Sequence, residues 1–138
     1  MSFENSFFKI LFDNDTQILN IIVKAEYPLV EQELNQLIDS LTIFYEACNH
    51  INKKFAILFD LRNLGILTID YYKKFITFFK SHEEISEKCL ICSSIICNNY
   101  IINNIINRIL LFYKNIRPIK IVDNDSDALE FINSNKDS

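Results

Sequence analysis

"FDLRNLGILTIDYYKKF", Phe59 to Phe75, decides how the chain is read, because it passes from an apolar run through a short polar loop into an amphipathic run. Its first residues complete "KFAILFDL", nearly continuous in apolar side chains, too short for a buried helix and suited to a strand covered on both faces. Downstream, Ile69, Tyr72, Phe75, Ile76 and Phe79 fall at spacings of three and four, which predicts a helix ending near "SHEEIS". A strand feeding a helix through a loop is the repeating unit of an α/β sheet, and the loop at the strand's C-terminal end is where such sheets place their sites. Here the loop holds the chain's only glycine, Gly65, with Asp60, Arg62 and Asp70 nearby and the pair Tyr71 and Tyr72 after it.

The same reading extends in both directions. Upstream, "FKILFD" and "QILNIIVKA" predict two strands joined by the polar turn "NDT" as a hairpin. Between about Leu29 and His50, residues Leu34, Leu37, Ile38, Leu41, Phe44, Tyr45 and Cys48 share one helical face. Downstream, "CLICSSIIC" predicts an interior strand. "YIINNIINRILLFYK" predicts a helix with Asn103, Asn104, Asn107 and Arg108 on its polar side. "IRPIKIVD" predicts a last strand with Pro118 at its start, and "NDSDALEFINSN" a short helix capped by Asp125 or Ser126. The order is β-β-α-β-α-β-α-β-α: an α/β fold with a mixed, mostly parallel sheet and an antiparallel N-terminal edge hairpin. No internal repeat or linker divides the chain, so residues 1–138 read as one domain, with a core from about 8 to 132 and a tail, 133–138, expected to fray.

Composition limits the function classes. With 138 residues, 49% hydrophobic and 23% charged, the chain can bury a core, unlike a disordered segment. A net charge of −4 argues against nonspecific binding to nucleic acid or anionic membranes, which needs surplus Lys and Arg. The N-terminus lacks a basic region followed by a long apolar run, and no window reaches about 18 uninterrupted apolar residues. The expectation is a cytoplasmic protein without integral membrane association. Cys89, Cys92 and Cys97 crowd into "KCLICSSIICNN", but on a strand residues three apart face opposite ways, so these read as buried, reduced thiols and not as metal ligands.

The order of elements over about Phe8 to Ile132, with "FDLRNLGILTID" at mid-chain and "IKIVDNDSDALEFI" at the end, resembles the STAS domain, the fold of bacterial anti-sigma factor antagonists. In that family the strand end leads through a "D-L" or "N-L" turn to "D-S-S-G" at a helix start, where the second serine is phosphorylated by a partner kinase and switches partner binding. An ungapped alignment sets Thr68 to Tyr71 on that motif with Asp70 at the phosphoserine. A shift of two sets Tyr71 and Tyr72 on the serines. Neither register leaves a serine, so the resemblance carries over no phosphoserine switch, and hydroxyls come only from Thr68, Tyr71 or Tyr72. Asp70 has two readings: a first-turn carboxylate favoured by the helix dipole behind Thr68 as N-cap, or a fixed negative charge in place of the phosphate.

For catalysis the sequence offers little. His50 and His82 read as solvated or helix-capping residues, and no G-x-S-x-G, phosphate-cradling glycine loop or H-E-x-x-H is present. The expectation is a non-enzymatic regulatory module without cofactor or metal. It would bind a protein partner through Asp60, Arg62, Asn63, Thr68, Asp70, Tyr71 and Lys73, with Tyr72 packed inward and Tyr71 turned toward solvent as a contact anchor. Ile102, Ile105, Ile106 and Ile109 give the third predicted helix a core face that Leu110, Leu111 and Phe112 continue around the circumference, so a neighbouring helix, a second subunit in a homodimer, or a ligand would cover it. The alternative function is a hydrophobic-ligand carrier, since STAS folds resemble the lipid-binding domains related to Sec14.

Overall fold

Each apolar run becomes a strand and each amphipathic run a helix in the computed structural model, which describes residues 1–24, 29–112 and 116–136. The strands are β1 (Ser2–Glu4), β2 (Phe8–Asp13), β3 (Ile18–Val23), β4 (Phe55–Asp60), β5 (Leu90–Ile96) and β6 (Ile119–Val122). The helices are α1 (Glu31–Ile51), α2 (Ile69–Ser81), α3 (Glu83–Cys89), α4 (Tyr100–Phe112) and α5 (Asp125–Lys136). The six strands lie in sequence order in one sheet; β1, β2 and β3 are antiparallel, and β3 to β6 are parallel. Because every crossover moves one strand in the same direction, right-handed connections place α1 to α4 on one face. Only α5, after the last strand, turns to the other.

The two faces hold separate apolar clusters. Leu34, Leu37, Leu41, Phe44, Tyr45 and Cys48 of α1 pack with Ile10, Leu19, Ile21, Phe55 and Ile57 of the sheet. On the far face Ala128 and Ile132 of α5 meet Ala56, Leu58, Cys92 and Ile96. Full burial of a Leu or Ile contributes about 1.5–3 kcal/mol, so the α1 stripe is a main source of stability. The tight hairpin between β2 and β3 is held by Asp13, whose Oδ1 accepts from the Asp15 N–H at 2.9 Å, and it closes through Gln17 at φ 60°. At its C-terminus α1 ends on Asn52 in the left-handed region, with the Lys53 N–H donating back to the Cys48 carbonyl at 2.9 Å.

Several boundaries differ from the sequence expectation. The edge strand β1 and the short helix α3 were not expected. Three residues carry no readable period, and "SHEEIS" looks polar although Ile85, Ser86 and Cys89 turn inward. Cys89 therefore closes a helix instead of opening a strand, yet Cys89 and Cys92 do lie in opposite clusters. All four thiols are buried and free, and burial pushes Cys48 and Cys92 up to about 11. The cap of α5 is Asn124, whose Oδ1 accepts from the Asp127 N–H at 2.8 Å, and not Asp125 or Ser126. The stretch 133–136, expected to fray, continues α5, with Ser134 and Asn135 bonded to carbonyls one turn back. The expected ends of the second strand at Ala25 and of the third predicted helix at Tyr113 and Lys114, the Phe112 side chain, and the last two tail residues lie outside the described residues.

Candidate functional site

Strands β4, β5 and β6 end together at one edge of the sheet, where the Leu61 N–H donates to the Ile96 carbonyl at 2.9 Å and the Cys97 N–H to Val122 at 3.0 Å. The loop from Leu61 to Thr68 leaves from this edge. Leu61, Leu64 and Leu67, three apart, turn inward, which leaves Gly65 and Ile66 at the exposed tip. Ile66 is 51% exposed and Ile69, the first residue of α2, 58%. Gly65 has no positive φ, so its place in the loop does not depend on lacking a Cβ.

Polar residues hold the start of this loop in place. Arg62 donates from Nε and Nη2 to both Asp60 oxygens at 3.0 and 2.7 Å, and from Nη1 to Asp125 at 3.0 Å. Its backbone N–H also donates to Asp60 Oδ1 at 3.1 Å. The loop is thereby clamped to its own strand end and to the first residue of α5. Burial alone would raise the Asp60 carboxyl, but the hydrogen bonds and charge of Arg62 outweigh it and hold the group below the usual carboxylate range. The same contact with Asp60 holds the Arg62 guanidinium further in its charged form. Asn63 reaches the end of β3, donating from Nδ2 to the Val23 carbonyl at 3.3 Å.

The end of the loop is fixed through α2. Thr68 occupies the N-cap position with extended backbone, but its side chain makes no capping hydrogen bond. Asp70 and Lys73 are exposed on the first turns, and neither has an ion pair among the described residues. Tyr71 is not turned to solvent as expected: it packs partly against the core, and its hydroxyl donates to the Leu29 carbonyl ahead of α1. Of α2 only Phe78 is buried, edge-on to Tyr45 at 5.0 Å; Tyr71, Phe75 and Phe79 pack partly against the core, Tyr72 and Ile76 of the expected face are half-buried, and Ile69 is exposed. Aromatic residues surround this helix, so spacing alone did not fix its rotation. A Lys74 ion pair to Glu31 at 3.0 Å ties α2 to α1.

Of the seven residues singled out from sequence, the structure brings all to this edge but gives them different settings. Asp60, Arg62 and Asn63 hold the loop, Tyr71 anchors its end, Thr68 is half-buried, and Asp70 and Lys73 face outward. Ile66 and Ile69 were missed. The signal for Ile66 was the three-residue spacing of Leu61, Leu64 and Leu67, which leaves it on the opposite side, whereas Ile69 carried the helical spacing of Tyr72, Phe75, Ile76 and Phe79 and yet is exposed. His82 joins α2 to α3, its N–H donating to the Phe79 carbonyl at 3.3 Å and its ring set against Phe78. The helix α4 is capped by Asn99, which accepts from the Ile101 N–H at 3.0 Å.

Beneath the loop lies a cavity of about 180 Å³ between the sheet, α2 and α4. α5 approaches the sheet closely over Ala128, whereas α2 and α4 stand farther off, and the space they leave is lined almost wholly by apolar groups. Ile102 and Ile106 of α4 are buried, Ile109 and Leu110 line the cavity, and Tyr100, Ile101 and Leu111 are exposed.

No protein-family model matches the chain, and no curated protein matches it. Among solved structures it is similar to an uncharacterized protein of the DUF3478 family from Shewanella loihica PV-4, described as having a SpoIIAA-like fold. The TM-score is 0.62 at 15% sequence identity, over 91% of each chain. At that identity the likeness shows the fold alone, and the fold is that of the STAS domain and the anti-sigma factor antagonists.

Proposed function

We propose that the chain is a single STAS-type interaction module that binds a protein partner through the loop and helix start at 60–73, in the cytoplasm and without a phosphoserine switch. The STAS fold is typically that of a non-enzymatic regulatory domain. The observation that carries the reading is the exposed pair Ile66, on the loop, and Ile69, at the start of α2, in a segment held at its two ends by Arg62 and Tyr71. A preorganised loop loses little entropy on docking, and exposed apolar residues rimmed by charge suit a partner surface with an apolar recess. Asp70 supplies fixed negative charge and Lys73 a cation on the neighbouring turn. Asp60, Arg62 and Asn63 act by holding the loop in shape.

The test is affinity capture from the native source with the wild-type chain and with an Ile66→Asp, Ile69→Asp variant. One partner retained by the wild type and lost by a variant of unchanged melting temperature supports the reading. A partner retained equally by both, or none retained by the wild type, rejects it.

A further inference from the structure

Among the described residues, one charged side chain lines the cavity beneath α2 and α4, and the cavity is separate from the loop's outer surface. Its walls come from strand residues such as Ile21, Ile95 and Ile119 and helix residues such as Phe75, Ile106 and Leu110. Arg117, just before β6, also lines it. Arg117 as a residue is half-buried, and its guanidinium is held at one end, where Nη2 donates to the Glu87 carbonyl of α3 in an exposed contact. Its Nε is buried and has no hydrogen-bond partner among the described residues. A buried donor without an acceptor is costly, and a charged one more so, which makes an unpaired guanidinium N–H beside an apolar space a feature that calls for an anion.

We propose that this cavity binds a free medium-chain monocarboxylate, with the alkyl chain among the isoleucines and phenylalanines and the carboxylate accepting from Arg117. Apolar cavities of roughly 150 Å³ admit benzene and otherwise stay dry, so about 180 Å³ admits a chain of roughly six to eight carbons. Arginine suits the head group because its planar fork matches a carboxylate and its charge persists when water is excluded. A neutral alcohol would leave that charge without a counter-ion, and an alkylammonium would oppose it. The site therefore selects by charge at one end and by length along the walls.

The experiment is calorimetric titration of the full chain with octanoate, octanol and octylammonium, with isoleucine methyl spectra recorded alongside. Saturable octanoate binding at least about tenfold tighter than octanol, with shifts at Ile95, Ile106 and Ile109, supports the site. Arg117→Met should bring octanoate down to the affinity of octanol while octanol binding persists. If that variant fails to fold, the wild-type preference for octanoate still decides, and Ile109→Phe, which fills the cavity from a half-buried position, should remove binding of both. Equal affinity for octanoate and octanol, methyl shifts confined to other residues, or no saturable binding would overturn it. Binding to phosphatidylglycerol vesicles without binding of free octanoate would overturn it as well.

Discussion

Replacing Arg62 by Gln removes the guanidinium that joins Asp60 to Asp125 while leaving the backbone N–H contact to Asp60. Four side-chain hydrogen bonds are lost, two to each carboxylate. The two arms differ in weight. Asp125 is 63% exposed, and its arm falls in the range of surface ion pairs, about 0–1 kcal/mol and sensitive to salt. Asp60 is 18% exposed and is gripped through both oxygens, so its arm contributes about 1 kcal/mol after allowance for the 38% exposure of Arg62. The expected loss is about 1–2 kcal/mol, or a melting temperature lower by about 3–6 °C.

The pH dependence follows from the depressed Asp60 pKa. Its carboxyl binds a proton more readily in the unfolded chain, so its stabilisation is fully present above the unfolded value of about 3.9 and is lost as pH falls through the folded one. In the variant this group approaches its ordinary value. The gap in unfolding free energy between wild type and Arg62→Gln, measured by urea titration, should thus be widest near neutral pH and narrow below about pH 4. A gap under about 0.3 kcal/mol at neutral pH, or one that persists unchanged in acid, would refute the clamp.

Tyr71→Phe removes the hydroxyl bound to the Leu29 carbonyl and should cost about 0.5–1.5 kcal/mol in a thermal or urea melt, a loss absent if Tyr71 were a free surface residue. Asn124→Ala should cost about 0.5–2 kcal/mol by uncapping α5, and more than Ser126→Ala, which would reverse the order if Ser126 were the cap. Gly65→Ala should leave the fold intact and raise stability by about 0.4–1 kcal/mol, since no positive φ is required; marked destabilisation would show that the loop needs glycine.

The layout of the sheet was legible because its strands are short apolar runs separated by helices of clear phase. The α1 stripe reads directly from Leu34, Leu37, Leu41 and Tyr45. Phase was lost in α2, where Tyr71, Tyr72, Phe75, Ile76, Phe78 and Phe79 place apolar surface around most of the helix. Two inward-facing lines then fit the same residues, and both turn partly inward: Phe78 and Tyr71 reach Tyr45 and the Leu29 carbonyl, while Tyr72, Phe75, Ile76 and Phe79 line the cavity. The Asp60 to Arg62 pair was readable from two residues on one strand end, but its third member, Asp125, lies 63 positions away and needed the fold to bring it near. Arg117 gave no sequence signal, because its importance comes from a cavity formed by distant elements.

The central claim concerns the outward side of the loop, and site-specific photo-crosslinking in the native source addresses it directly. With p-benzoylphenylalanine placed at Ile66 or at Ile69, one protein species should be captured from both positions. It should not be captured from Ile43, a 66% exposed residue on the far side of α1 from its buried stripe. Capture of the same species from Ile43 as efficiently as from the loop, or no capture from Ile66 and Ile69, would contradict the account.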